Sequence, residues 1–298
     1  MPLDPEVAAL LERQKNLPPR SSLDAAATRE MMRRAAALAG PPPALPRIDD
    51  MTIADAFKAR QYWPADDSKL ALAVYFHGGR FFSGDLESHD TVCRSLAIAS
   101  GCRVLAVDYR MAPERRFPTA LDDACAAVDW ALRQGVPVGV AGDSSGANLA
   151  AGVALARRGA GLGCQLLVYP MIDATGGSAS YRQFGEGYGP GAVDMLRGWR
   201  EYLPAGTDPC DPRVSPVFAE DLAGAAPAFV ITAEYDTLRD EGEAYARKLL
   251  EAGTMVQARR SLGMIHGFFT MSGVLPAARE AMREAGEFLR RRLADVLE

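Results

Sequence analysis

From residue 70 onward, short apolar runs recur along the chain: "LALAVYF" (70–76), "RVLAV" (103–107), "PVGVA" (137–141), "CQLLVY" (164–169), "PAFVITA" (227–233) and "MVQARR" (255–260). Between and after them, apolar positions fall at helical spacing near 89–100, 119–133, 146–158, 240–252 and 276–296. Near-continuous apolar strands that alternate with helices predict an α/β protein whose central sheet is mostly parallel, buried on both faces and flanked by helices. The extended stretch 48–63, which includes "FKARQYWP", predicts antiparallel strands at one edge.

Two segments depart from this alternation. Residues 5–16 and 22–39 read as amphipathic helices, with Val7, Leu10 and Leu11 on one face and "GPPP" as the stop of the second. Residues 173–212, rich in Gly, Pro and aromatics with a helix near 191–203, read as an insertion over one end of the sheet. At 298 residues and 48% hydrophobic, the chain can bury one large core with an accessory piece. A net charge of -5 without a dense basic tract argues against nucleic acid and against anionic membranes as partners. The acidic start "MPLDPEVAALLERQKN" has no apolar h-region, and no run reaches the roughly 18 apolar residues of a membrane span, so no stable membrane association and a cytoplasmic location are expected. The five cysteines, Cys93, Cys102, Cys125, Cys164 and Cys210, contain no CxxC pair, which predicts reduced thiols rather than a disulfide frame, and no metal site.

In sheets of this kind, ligands bind beyond the carboxyl ends of the strands. Strand 137–141 runs straight into "GDSSGAN", a GxSxG pattern that places Ser144 at a strand-to-helix turn with its hydroxyl thrust outward. A serine hydroxyl needs a base to act as a nucleophile, and the chain holds three histidines: His77, His89 and His266. Only His266, in "GMIHGFF", follows the serine and the last strand, as the order Ser, acid, His requires. Of the carboxylates in "FVITAEYDTLRDEG", Asp236 lies in the loop just past a strand and is the candidate third member. Asp240 reads as a helix cap and Glu241 as its first turn, and with Glu234 they read as a solvated charge cluster. "HGGR" after strand 70–76 offers backbone amides for an oxyanion, together with the amide of Ser145.

These stretches resemble the hormone-sensitive-lipase family of α/β-hydrolases, which includes the bacterial family IV esterases. "YFHGGRF" is similar to its HGGG motif, "DYRMAPERRFPTALDD" (108–123) to DYRLAPE, "GDSSGAN" to GDSAGG, "DTLRDEG" to DPLRDEG, and "HGF" (266–268) to its histidine motif. The resemblance covers nearly the whole chain. It implies an α/β-hydrolase fold with a helical cap built from residues 1–45 and from 173–212, the latter inserted into a catalytic domain spanning 46–298. It implies Ser144 as nucleophile, Asp236 and His266 as its partners, and an oxyanion hole from the amides of Gly78, Gly79, Arg80 and Ser145. It further implies a cofactor-free serine carboxylesterase acting on short- to medium-chain acyl esters, and a homodimer through the edge strand near 255–260.

Phe81, Phe82, Tyr188, Trp199 and Phe268 are candidates to line the acyl pocket, as are Met171, Tyr181, Phe184, Met195 and Phe269, and each could equally be core. The chain departs from the family pattern most at Arg80, which stands where the third glycine is usual. Its side chain either points to solvent or pairs with Asp85 or Glu87, or else lines the site and favours an acidic or strongly polar substrate. An amidase, deacetylase, lactonase or acyltransferase could use the same triad. A non-catalytic binding protein of this type would lack the histidine.

Overall fold

In the computed structural model, which describes residues 2–15 and 20–294, the chain folds around one sheet of eight strands. A helical preface comes first: α1 (Pro5–Gln14), capped by the Asp4 carboxylate on the amide of Glu6 (2.9 Å), and α2 (Ala25–Ala35), capped by Asp24 on the amide of Ala27 (2.7 Å). The second expected helix tightens into a 3-10 turn over Ala36–Ala39 before "GPPP". Residue 16 of the first expected helix and residues 295–296 of the last lie outside the described residues.

The sheet and its helices follow in the order β1 (Arg47–Ile53), β2 (Phe57–Trp63), β3 (Leu72–Phe76), α3 (Asp90–Ser100), β4 (Arg103–Asp108), α4 (Thr119–Leu132), β5 (Val138–Asp143), α5 (Ser145–Ala156) and β6 (Leu162–Val168). The insertion carries α6 (Ala179–Gln183), which the sequence pattern did not reveal, and α7 (Ala192–Tyr202). The chain closes with β7 (Ala228–Tyr235), α8 (Arg239–Glu251), β8 (Val256–Ile265) and α9 (Pro276–Ala294). The strands lie in the order β1-β2-β4-β3-β5-β6-β7-β8. β1 and β2 are antiparallel to their neighbours and the rest are parallel, as the apolar runs imply. The last strand runs past the expected 255–260 to Ile265, because "SLGMI" continues the pairing with β7 beyond a register shift.

Each central strand feeds two cores. Leu72, Val74 and Phe76 of β3 face the cluster under α4, α5 and α8, whereas Ala73 and Tyr75 face the cluster under α3 and α9. The same alternation holds for Val104 and Ala106 against Leu105 and Val107 in β4. α5 is buried almost all round and packs hard on the sheet. A Cβ at Gly146 would stand 2.0 Å from the Phe76 carbonyl oxygen, so only glycine lets the helix start this close to the end of β3. β4 follows β3 on one side and β5 lies on the other, so the chain reverses direction across the sheet at β3. The ends of β3 and β5 therefore flank a switch-point crevice.

Candidate active site

Three strand ends converge at that crevice. Ser144 follows β5 in a left-handed conformation (φ 54, ψ −121) that few non-glycine residues adopt, and its carbonyl accepts the amide of Asn148 as α5 begins. Asp236 follows β7, and His266 follows β8. Nε2 of His266 lies 3.0 Å from Ser144 Oγ, and its Nδ1 lies 2.8 Å from Asp236 Oδ2. The other oxygen of Asp236 accepts the amide of Leu238 (2.9 Å), which fixes the carboxylate plane. All three residues are buried, and the Tyr169 ring packs 4.6 Å from the imidazole, between centroids. An Nδ1–H donated to a carboxylate leaves Nε2 as the acceptor facing the hydroxyl, the tautomer a general base needs.

The loop after β3 lies beside the serine, with Phe81 N–H donating to Ser145 Oγ (3.2 Å). Here the expected donor set changes. The Gly78 amide donates to Asp143 Oδ1 (2.8 Å) and is not free for an oxyanion. Among the described residues no acceptor takes the amides of Gly79, Arg80 or Ser145, so three donors remain. Asp143, which the sequence reading passed over, organises this corner. It accepts Tyr75 Oη–H (2.8 Å) as well as Gly78 N–H, and His89 Nε2 stands 3.4 Å away. Burial pushes the Asp143 carboxyl up, but His89 and these donors outweigh it and leave the group below the ordinary carboxylate range. The only hint in the sequence was an acidic residue directly before the serine.

His77 and His89 are not brought to the serine. His77 donates from Nδ1 to the Gly78 carbonyl (2.9 Å) and stacks on Tyr109 at 4.4 Å, while His89 caps α3 and contacts Ser88 Oγ (3.0 Å). The three remaining carboxylates are not a solvated cluster. Glu234 accepts the Gly263 amide (2.7 Å), Asp240 the Ser180 amide (2.9 Å), and the buried Glu241 the amides of Ile172 (2.7 Å) and Asp173 (3.2 Å). Asp240 and Glu241 both sit in the first turn of α8, whose N-cap is Leu238.

Of the five aromatic pocket candidates, Phe81, Phe82, Trp199 and Phe268 are buried and only Tyr188 is partly exposed, stacked on Tyr235 at 5.1 Å. Phe81 stacks on Tyr202 at 3.9 Å and tilts against Trp199 at 5.1 Å. Met171, Tyr181, Phe184, Met195 and Phe269 are also buried. Arg80 neither points to solvent nor pairs with Asp85 or Glu87. It is 5% exposed, Asp85 and Glu87 pair instead with Arg33 and Arg60, and its guanidinium lies between the Phe82 ring and Asp194 of α7.

Comparisons with known proteins show the family. A family described as alpha/beta hydrolase fold matches residues 73–270, a span that contains all three site residues and the β3 loop. The chain belongs to that family, in its hormone-sensitive-lipase-like branch. An ethyl acetate hydrolase of Pseudomonas putida is 38% identical over 243 residues, covering 77% of this chain and 76% of that protein. The carboxylesterase NlhH of Mycobacterium tuberculosis is 36% identical over 276 residues, covering 85% and 86%. Among solved structures, a hyperthermophilic esterase from the archaeon Pyrobaculum calidifontis superposes with a TM-score of 0.92 at 37% identity, covering 99% of this chain and all of that one. No helix among the described residues is long and apolar enough to cross a membrane.

Proposed function

We propose that the protein is a serine carboxylesterase that cleaves short- to medium-chain acyl esters through an acyl-enzyme. The observation that carries this reading is the hydrogen-bonded line from Asp236 through His266 to Ser144, with contacts of 2.8 and 3.0 Å at the switch point of the sheet. As Ser144 Oγ attacks the ester carbonyl carbon, its proton passes to His266 Nε2. The carbonyl oxygen takes up the negative charge and faces the amides of Gly79, Arg80 and Ser145. The intermediate then collapses, the carbon–alcohol bond breaks, and the alcohol leaves with the proton from Nε2. Water repeats the cycle on the acyl-enzyme, with His266 again taking and returning one proton. No cofactor enters these steps. The ester-hydrolase names of the relatives support the reaction class.

In this reading residues 1–45 and 173–212 form a cap over the acyl site. Arg197 of α7 donates to the Leu23 carbonyl, so the two segments are tied to one another. Asn148 of α5 holds the base of the insertion by donating to the carbonyls of Met171 (3.0 Å) and Val214 (2.8 Å). The test is hydrolysis of p-nitrophenyl esters from acetate to palmitate by wild type and Ser144→Ala. Short-chain activity that falls roughly 10⁴-fold or more in the variant is expected. Activity that survives in Ser144→Ala would rule the mechanism out.

A further inference from the structure

We propose that the site selects esters carrying a free carboxylate, read by Arg80 and Arg20; the inference rests on the ester-hydrolase reading above. Arg80 Nη1 is buried without a hydrogen-bond partner, and no hydrogen bond reaches its guanidinium from the described residues. Its nearest acid, Asp194, stands 3.7 Å away through Oδ1, which is itself unpartnered, because Oδ2 is engaged by the Gly191 amide (3.1 Å) at the start of α7. Asp194 faces Arg20 as well as Arg80, and the guanidinium groups of Arg80 and Arg197 each stand 5.0 Å from the Phe82 ring centroid. Arg197 has its own partners in Glu201 (3.4 Å) and the Leu23 carbonyl. Three guanidinium groups thus share two carboxylates, and the surplus is one positive charge. A buried cation with an unmade hydrogen bond is costly to keep, and an incoming carboxylate would supply the missing acceptor.

The cluster borders a cavity of about 560 Å³ between the helical preface and the glycine-rich loop before α7. Arg20 and Asp194 line its inner wall, exposed Lys15 and Glu186 stand at its rim, and Leu11 and Met31 give it an apolar side. Gly189, also in the lining, lies near Ile265, the residue before His266, with Ile265 Cδ1 3.9 Å from where a Cβ would stand. Arg80 itself is one of the three amide donors beside Ser144. Arg80 therefore joins the two places: its backbone belongs to the loop packed on Ser145, and its guanidinium meets Asp194, which with Arg20 lines the cavity beside an apolar side, so a carboxylate held by Arg80 and Arg20 lies against the loop that carries the oxyanion donors. The acids Glu186 and Asp194 disfavour a dianion, and the single surplus charge suits a monoanion.

The experiment compares kcat/KM on matched esters. Mono-p-nitrophenyl glutarate against p-nitrophenyl pentanoate places the carboxylate on the acyl side; 4-acetoxybenzoate against phenyl acetate places it on the alcohol side. Wild type should favour at least one anionic ester over its neutral match, and Arg80→Gly and Arg20→Gln should each cut that ratio about 10- to 100-fold, the range for a hydrogen bond to a charged group. Arg80→Gly keeps the backbone amide and suits the φ of 59 at this position, so the ratio, not the absolute rate, is the readout. No anionic preference in wild type, or a preference that survives both variants while Ser144→Ala is inactive, overturns the inference and leaves the esterase reading standing. If no ester is cleaved, calorimetry with the monoanion pentanoate decides separately: binding lost in Arg20→Gln supports the anion site, and no binding to wild type refutes it.

Discussion

At the scale of single residues, His77 shows how much of the site is held by groups that take no part in the chemistry. Its Nδ1–H donates to the Gly78 carbonyl, Tyr109 stacks on one face and donates its hydroxyl to the His77 carbonyl (2.8 Å), and Nε2 is buried without a donor. Burial, with His89 nearby, drags its pKa from 6.5 down to about 4, against weaker opposite pulls from the Gly78 carbonyl, Asp143 and Asp85. Between those two values the unfolded chain binds a proton that the folded chain does not, so stability falls as pH drops from about 6.5 toward 4. The cost at this residue is about 2 kcal/mol between pH 7 and pH 5. Urea denaturation of wild type and His77→Gln at both pH values checks it. Wild type should lose more on acidification than the variant, and equal losses would remove His77 as the acid-sensitive group.

At the scale of elements, the insertion is anchored where α8 begins. Glu241 Oε1 takes the amides of Ile172 and Asp173, which leave β6 toward the insertion, and Oε2 is buried without a partner. Burial first and the nearby Asp173 second push this carboxyl well above its ordinary range. A group whose folded pKa is raised contributes stability below its unfolded pKa and loses it as pH rises through the folded one. Glu241→Gln should therefore cost less than about 1 kcal/mol at neutral pH, since an amide oxygen serves the same two donors, whereas Glu241→Ala should cost about 2 to 4 kcal/mol by stranding them. Equal destabilisation by both would mean that the residue acts as a charge. Glu241 also marks where sequence reading stops. Its carboxylate type predicts solvent, and its partners lie 69 and 68 residues earlier in the chain. β3 to β7 were legible because burial on both faces writes itself as an unbroken apolar run. Ser144, Asp236 and His266 were legible because strand ends and chain order restrict the choice. Gly78 was misread as an oxyanion donor because the acceptor of its amide, Asp143, becomes a neighbour only when β3 and β5 pair.

Over the whole molecule, the sheet and the helical preface are held by different forces. The strands are joined by parallel and antiparallel ladders and two apolar cores, but α1 and α2 each bury a single residue, Val7 and Thr28. Polar contacts hold α2 instead. Arg29 donates from Nε to the Phe82 carbonyl (2.9 Å), from Nη2 to the Ala112 carbonyl (2.9 Å), and from Nη1 and Nη2 to both oxygens of Glu114 (2.9 and 2.6 Å). One guanidinium thus ties the preface to the loops after β3 and β4, and Arg33 adds a contact to Asp85 (2.5 Å). Glu114 is exposed, so its pairing with Arg29 is screened, and the two carbonyl bonds carry most of the hold. A segment fastened this way should open on its own, well below the free energy of global unfolding. Arg29→Ala should speed hydrogen exchange of the α2 amides about 10-fold or more and leave the amides of β3, β4 and β5 unchanged. Arg29→Lys should behave nearly like the alanine variant, because one ammonium cannot span two carbonyls and a carboxylate. If α2 and the central strands accelerate together, the preface is part of the global folding unit and Arg29 fastens the whole molecule, not a separable cap.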